Sequence, residues 1–136
     1  MSSQGFVADF IEAWNRHDAK SVAEMHSQDF TGEDVGEATP HHGRSGVCQR
    51  TKRYLLAFPD LQIQAEETLI NGDQLVILWR AKGTHTGAFM NIPPTERKVT
   101  FRGVSLLWVQ DKKITRGVYM WDVAGLLREL RLLPDL

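Results

Sequence analysis

The amino-acid sequence predicts an α+β domain, with helices first and an antiparallel sheet after them. Three observations carry that reading. Apolar residues up to position 58 recur at helical spacing, four later runs are rich in β-branched and aromatic residues, and short turn sequences join those runs in pairs. Helices grouped before strands that are linked by tight hairpins are the pattern of an α+β domain with an antiparallel sheet.

The first helix opens at Ser3 or Gln4 and places Phe6, Val7, Phe10, Ile11 and Trp14 on one stripe, until residues 15–18 break it. A short second helix over 19–26 offers Val22 and Met25. Phe30 then enters an extended stretch, and TGEDVGEATPHHGRSG (31–46), punctuated by Gly and Pro, reads as loop. A third helix over 45–58 carries Val47, Tyr54, Leu55 and Phe58 and stops at Pro59. Strands follow over 61–70, 74–85, 98–110 and 114–122. The first two are joined by Asn71-Gly72-Asp73 and the last two by Gln110-Asp111-Lys112-Lys113, and the closing GLLREL is helical.

The 136 residues suit one domain, residues 1–136, with no internal repeat or linker. The 16 basic and 17 acidic residues form no long block of one sign, so neither nucleic acid nor a membrane surface is an expected partner. A lone cysteine, Cys48, rules out an intrachain disulfide. With no basic segment leading into an apolar run at the start, and no apolar stretch of about 18 residues, the expected location is cytoplasmic.

Three stretches carry a resemblance: FIEAWNRHD near the start, the middle segment AFPDLQIQAEETLINGDQLVILWRAKGTHTGAFMNIPPTERKVTF, and DKKITRGVYMWDVAGLLRELRLLP at the end. The chain resembles the SnoaL-like polyketide cyclase family, within the nuclear transport factor 2-like and ketosteroid isomerase-like superfamily. The resemblance implies a cone-shaped curved antiparallel sheet with three N-terminal helices enclosing an apolar pocket. It also implies an enzyme without metal or organic cofactor that acts on an apolar, polyketide-like carbonyl compound by acid–base chemistry, as a cyclase or isomerase. Some relatives look like hydroxylases. A non-catalytic binding or dimerisation module stands as the alternative.

In the family's cyclases a carboxylate five residues after the Ile that opens the last strand acts as acid and base, accompanied by a His or Asp nine residues before that Ile. Counted from Ile114, these positions hold Tyr119 and Ser105. A tyrosine is a poor base near neutrality but a good donor to a forming enolate. Asp122, eight residues after Ile114, matches the family; it is either a base at the pocket rim or the cap of the closing helix. Epoxide hydrolysis on the same fold wants two carboxylates, and Tyr119 occupies one of their positions.

Arg50 shares the stripe of Val47, Tyr54 and Phe58 and is expected either to reach water or to point inward, pairing with Asp122 or clamping a substrate oxygen. Asp122, Tyr119 and Arg50 are therefore the expected catalytic residues, with Trp14, Tyr54, His85, Ser105 and Trp121 lining the pocket. His41, His42 and His85 are further candidates for the base. No histidine spacing with a carboxylate suits a metal site. Leu106, Trp108, Val118 and Met120 alternate with the pocket-facing residues, and the apolar outer face they would form predicts a homodimer.

Overall fold

The computed structural model describes residues 3–135. The order is α1 (Ser3–Asn15), α2 (Ala19–Glu24), β1 (His26–Asp34), β2 (His41–His42), α3 (Gly43–Ala57), β3 (Gln62–Asn71), β4 (Gln74–Thr84), β5 (Lys98–Gln110), β6 (Lys113–Trp121) and α4 (Val123–Glu129). The strands make one curved, open, six-stranded sheet in the order β2-β1-β6-β5-β4-β3. The α+β class is as expected, but β1 and β2 come before α3, so the helices do not all precede the strands.

Two features differ in detail. The stretch 31–46, read as loop, contains the end of β1 and all of β2, and the second helix stops at Glu24 rather than reaching His26. The sheet is also mixed: β1 runs parallel to β6, with Gly32 opposite Gly117 and Asp34 opposite Tyr119. β1 is hard to see because its inward positions are His26, Phe30, Gly32 and Asp34. The burial alternates as a strand requires, but apolar character does not.

Polar side chains fix the helices to the sheet. Asn15, at the end of α1, donates to the Ile63 carbonyl at 2.9 Å and accepts from the Ile63 N–H at 2.7 Å. Asp18 caps α2 by accepting from the Ser21 N–H at 3.1 Å. Asp60, following Pro59, accepts from both the N–H and the hydroxyl of Thr84 at 2.7 Å, locking the end of α3 to the end of β4. The Gln110–Lys113 turn works without glycine, because Asp111 and Lys112 both take left-handed backbone angles, φ 51° and 63°.

Two apolar clusters form the interior. One gathers Phe6, Phe10, Val22, Phe30, Leu107 and Ile114 beneath α1 and α2. The other gathers Phe58, Leu61, Phe89, Phe101, Leu126 and Leu130. Phe58 is fully buried, so Phe58→Ala is expected to cost about 3–5 kcal/mol. Trp14 and Trp79 pack against both clusters. The remaining space lies where the clusters meet.

Candidate active site

That space is a cavity of about 80 Å³ between α1 and α3 on one side and β4, β5 and β6 on the other. Its walls are mainly aromatic and aliphatic, from Phe10, Trp14, Ile77, Trp79 and Phe101, and its polar side chains include Arg50, Tyr119, His41, His26 and Ser105.

Strand alternation puts Gly117, Tyr119 and Trp121 on the inner face of β6. The Tyr119 ring folds back over Gly117, where any Cβ would overlap the phenol; a glycine two residues earlier is what lets the hydroxyl lie along the strand. Burial raises the Tyr119 phenol to about 12, against the opposing pull of the Arg50 cation. At neutral pH it is therefore a hydrogen-bond donor and not a phenolate. Ser105, directly across from Tyr119 on β5, accepts a 3.0 Å hydrogen bond from the Trp79 indole N–H.

Arg50 reaches inward from the third helix, its side chain 13% exposed. Its guanidinium carbon lies 4.4 Å from the centre of the Tyr119 ring and 5.1 Å from that of Tyr54. Arg50 pairs with Asp34 at 3.2 Å, not with Asp122. The same Asp34 oxygen accepts from the Trp121 indole at 3.2 Å, and the other accepts from the Gly36 N–H at 3.0 Å. Arg50 lines the cavity and Asp34 does not, so the cation faces the empty space with its counter-ion behind it. The Arg50 Nε is buried without a partner among the described residues.

Asp34, like His26 on the same strand, is a residue that sequence reasoning missed. It sits in a stretch dense with Gly, Glu and Asp, where a carboxylate reads as solvated. The signal available was the run Phe30, Gly32, Asp34 at strand spacing, which aligns the carboxylate with the inward Phe30.

His41 and His26 both line the cavity. His41 stacks on Tyr119, with ring centres 5.9 Å apart and planes 20° from parallel, and its Nδ1 is buried without a partner among the described residues. Burial, followed by the nearby Arg50, lowers His41 from 6.5 to about 4. His26 is likewise lowered to about 4, chiefly by burial. Its Nδ1 lies 2.8 Å from the Val22 carbonyl and must donate to it, which makes Nε2 the basic nitrogen. Both imidazoles are neutral at physiological pH.

Trp14, Tyr54, Ser105 and Trp121 line the cavity, whereas two expected residues lie elsewhere. Asp122 is exposed and caps α4, accepting from the Gly125 N–H at 2.8 Å; it does not border the cavity because the strand ends at Trp121 and the chain turns outward into the helix. His85 is fully buried beside Phe58, and its Nδ1 accepts from the Thr95 N–H at 3.2 Å and lies 2.9 Å from the Thr95 hydroxyl. The Gly-Thr-His-Thr-Gly run is thus a packing device: Thr86 and Gly87 donate to the Ala57 carbonyl at the end of α3. His42 is exposed at the α3 N-terminus. Among the described residues no group of three His, Cys, Asp or Glu is placed to hold a metal ion.

Solved structures with this architecture are numerous. A candidate hydroxylase of Streptomyces galilaeus, AclR, is 25% identical with a TM-score of 0.86, over 98% of this chain and 87% of that one. IdmH of Streptomyces antibioticus, a candidate polyketide cyclase, is 24% identical with a TM-score of 0.83, over 96% of this chain and 99% of that one. A protein of Catenulispora acidiphila with a ketosteroid isomerase-like fold, solved with trimethylamine, is 16% identical with a TM-score of 0.83, over 97% and 96% of the two chains. No curated protein matches the chain. The family model for SnoaL-like polyketide cyclases matches residues 6–130, nearly the whole length, and the chain therefore belongs to the SnoaL-like polyketide cyclase family.

Proposed function

We propose that the chain is a cofactor-independent acid–base enzyme acting on an apolar carbonyl compound, with cyclase or isomerase chemistry. The observation that carries this reading is the clustering of Arg50, Tyr119 and His41 on one cavity. In the proposed step the carbonyl oxygen accepts from the Tyr119 hydroxyl and an Arg50 N–H. The bare nitrogen of His41 takes the proton from the α-carbon, and the C–H electron pair moves onto the oxygen as an enolate. The enolate then either attacks a second carbonyl of the same molecule, closing a ring while the new alkoxide takes the proton back from the His41 imidazolium, or is reprotonated by that imidazolium at another carbon. No oxidant or metal enters the balance.

A resting base near 4 is weak, and the Arg50 cation contributes to that. Negative charge forming beside Arg50 offsets the cation at the moment His41 becomes an imidazolium, so the base strengthens as the transition state forms. Asp34 holds Arg50 and Trp121 in place and acts as a positioning residue. The test is α-proton exchange of cyclohexanone and 2-tetralone in D₂O, followed by proton NMR.

The non-catalytic alternative is favoured by Tyr119 and Ser105 standing where relatives of known chemistry carry acid and base, and by the modest size of the cavity. It predicts ligand binding without exchange.

We also infer that the functional unit is a homodimer formed through the outer face of β5 and β6. Met120 is 52% exposed there, beside the half-buried Leu106, Trp108 and Val118, and Arg116 lies 4.3 Å over the Trp108 ring. α4 packs on the inner cluster with Phe58 and Phe101, so the closing helix leaves this face open. A twofold pairing would bury one apolar patch against its own copy.

A further inference from the structure

The sheet side of the cavity is closed by an unusual row. Gly103 on β5 stands directly between Trp79 on β4 and Trp121 on β6, and a Cβ at Gly103 would overlap both the Trp79 ring and the base of the Trp121 side chain. The absence of that one carbon lets both indoles lean over β5. Phe101 braces them, with ring centres 6.1 Å from Trp79 and 5.2 Å from Trp121. From the helix side, Trp14 and Tyr54 pack edge to face at 6.3 Å, and Tyr54 reaches Trp121 at 6.0 Å.

The free space left among these rings is about 80 Å³. Pockets for drug-sized ligands span roughly 300–1,000 Å³ and an apolar cavity that takes benzene about 150 Å³, so even one ring requires the aliphatic walls to give, and a fused second ring requires far more. The indoles are themselves hydrogen-bonded, Trp79 to Ser105 and Trp121 to Asp34, so neither swings aside without giving up that bond. At the polar end, Arg50 Nε is buried without a partner among the described residues, and the Arg50 guanidinium and the Tyr119 hydroxyl can both donate to an acceptor oxygen.

We propose that the Trp79–Gly103–Trp121 row sets the substrate class of this site, restricting it to compounds of at most one six-membered ring that present a carbonyl or enolic oxygen to Arg50 and Tyr119. This rests on reading the cavity as the reaction site, and it separates the chain from enzymes that admit a fused polycycle.

The test compares phenol with 2-naphthol by NMR titration, following the indole N–H signals of Trp79 and Trp121. Apolar area alone favours the larger naphthol, so a preference for phenol reports shape. The wild-type chain is expected to bind phenol about tenfold or more tightly than 2-naphthol, the scale of overpacking a filled site. Trp79→Leu is expected to reverse the order, and Trp79→Phe, a milder change, to narrow it should the leucine variant fail to fold. Tighter binding of 2-naphthol by the wild type, an unchanged ratio in the folded variants, or no binding of either compound would overturn the proposal. Neither phenol reacts, so the outcome is independent of turnover. Exchange catalysis on 2-tetralone in the cavity would overturn the size limit yet leave the acid–base reading intact, whereas phenol binding without exchange on any ketone would do the reverse.

Discussion

Arg50 and Asp34 form a 3.2 Å ion pair in the interior, the carboxylate side chain 3% and the guanidinium side chain 13% exposed. Desolvating both groups is costly, and each makes the other tolerable. Asp34→Asn leaves a buried cation without its counter-ion, and a loss of about 3–5 kcal/mol in urea unfolding is the expected result. Adding Arg50→Met should recover a large part of that loss, because the pair is replaced and not broken. A single-variant loss below about 1 kcal/mol would show that the pair is not held in the folded state.

Acid should weaken the fold through His26 and His41. Both stand near 4 in the folded chain against about 6.5 unfolded, so between those values the unfolded chain binds more protons. Stability is complete above about pH 6.5 and falls as the pH drops toward 4, by up to about 3 kcal/mol for His26 and less for the half-buried His41. Urea midpoints measured from pH 7.5 to 4.5 check this; a flat profile would contradict the buried, neutral state of both imidazoles.

Trp108→Glu places a charge on the outer face of β5 and should convert the proposed dimer to a monomer in sedimentation velocity at micromolar concentration, with far-UV circular dichroism unchanged. A wild-type monomer under the same conditions would remove the dimer proposal.

Much of the fold was legible because its signals are local. The helical stripe from Phe6 to Trp14 and the turn at residues 71–73 depend only on neighbours in sequence. β1 was not legible, since its inward residues include His26, Gly32 and Asp34, and what makes them a strand is pairing with β6 more than eighty residues away. The site divides in the same way. Strand alternation from Ile114 suffices to put Tyr119 and Trp121 on one face. The partner of Arg50 depends on a β1–β6 register that no local pattern encodes. Asp122 was open to two readings from the sequence, pocket rim or helix cap, and it caps α4, which packs in the cluster of Phe58 and Phe101.

The central claim is that Tyr119 and Arg50 hold a forming oxyanion while His41 takes the proton. It is tested most directly by the rate of α-proton exchange of cyclohexanone in D₂O, measured for the wild type, Tyr119→Phe, His41→Gln and Asp122→Asn. The account predicts exchange well above buffer for the wild type and a fall of roughly 10²–10³-fold for Tyr119→Phe, the scale of losing one oxyanion donor. It predicts loss of exchange for His41→Gln and an unchanged rate for Asp122→Asn, whose asparagine still caps α4. Exchange that survives in both Tyr119→Phe and His41→Gln, or that disappears only in Asp122→Asn, would contradict it.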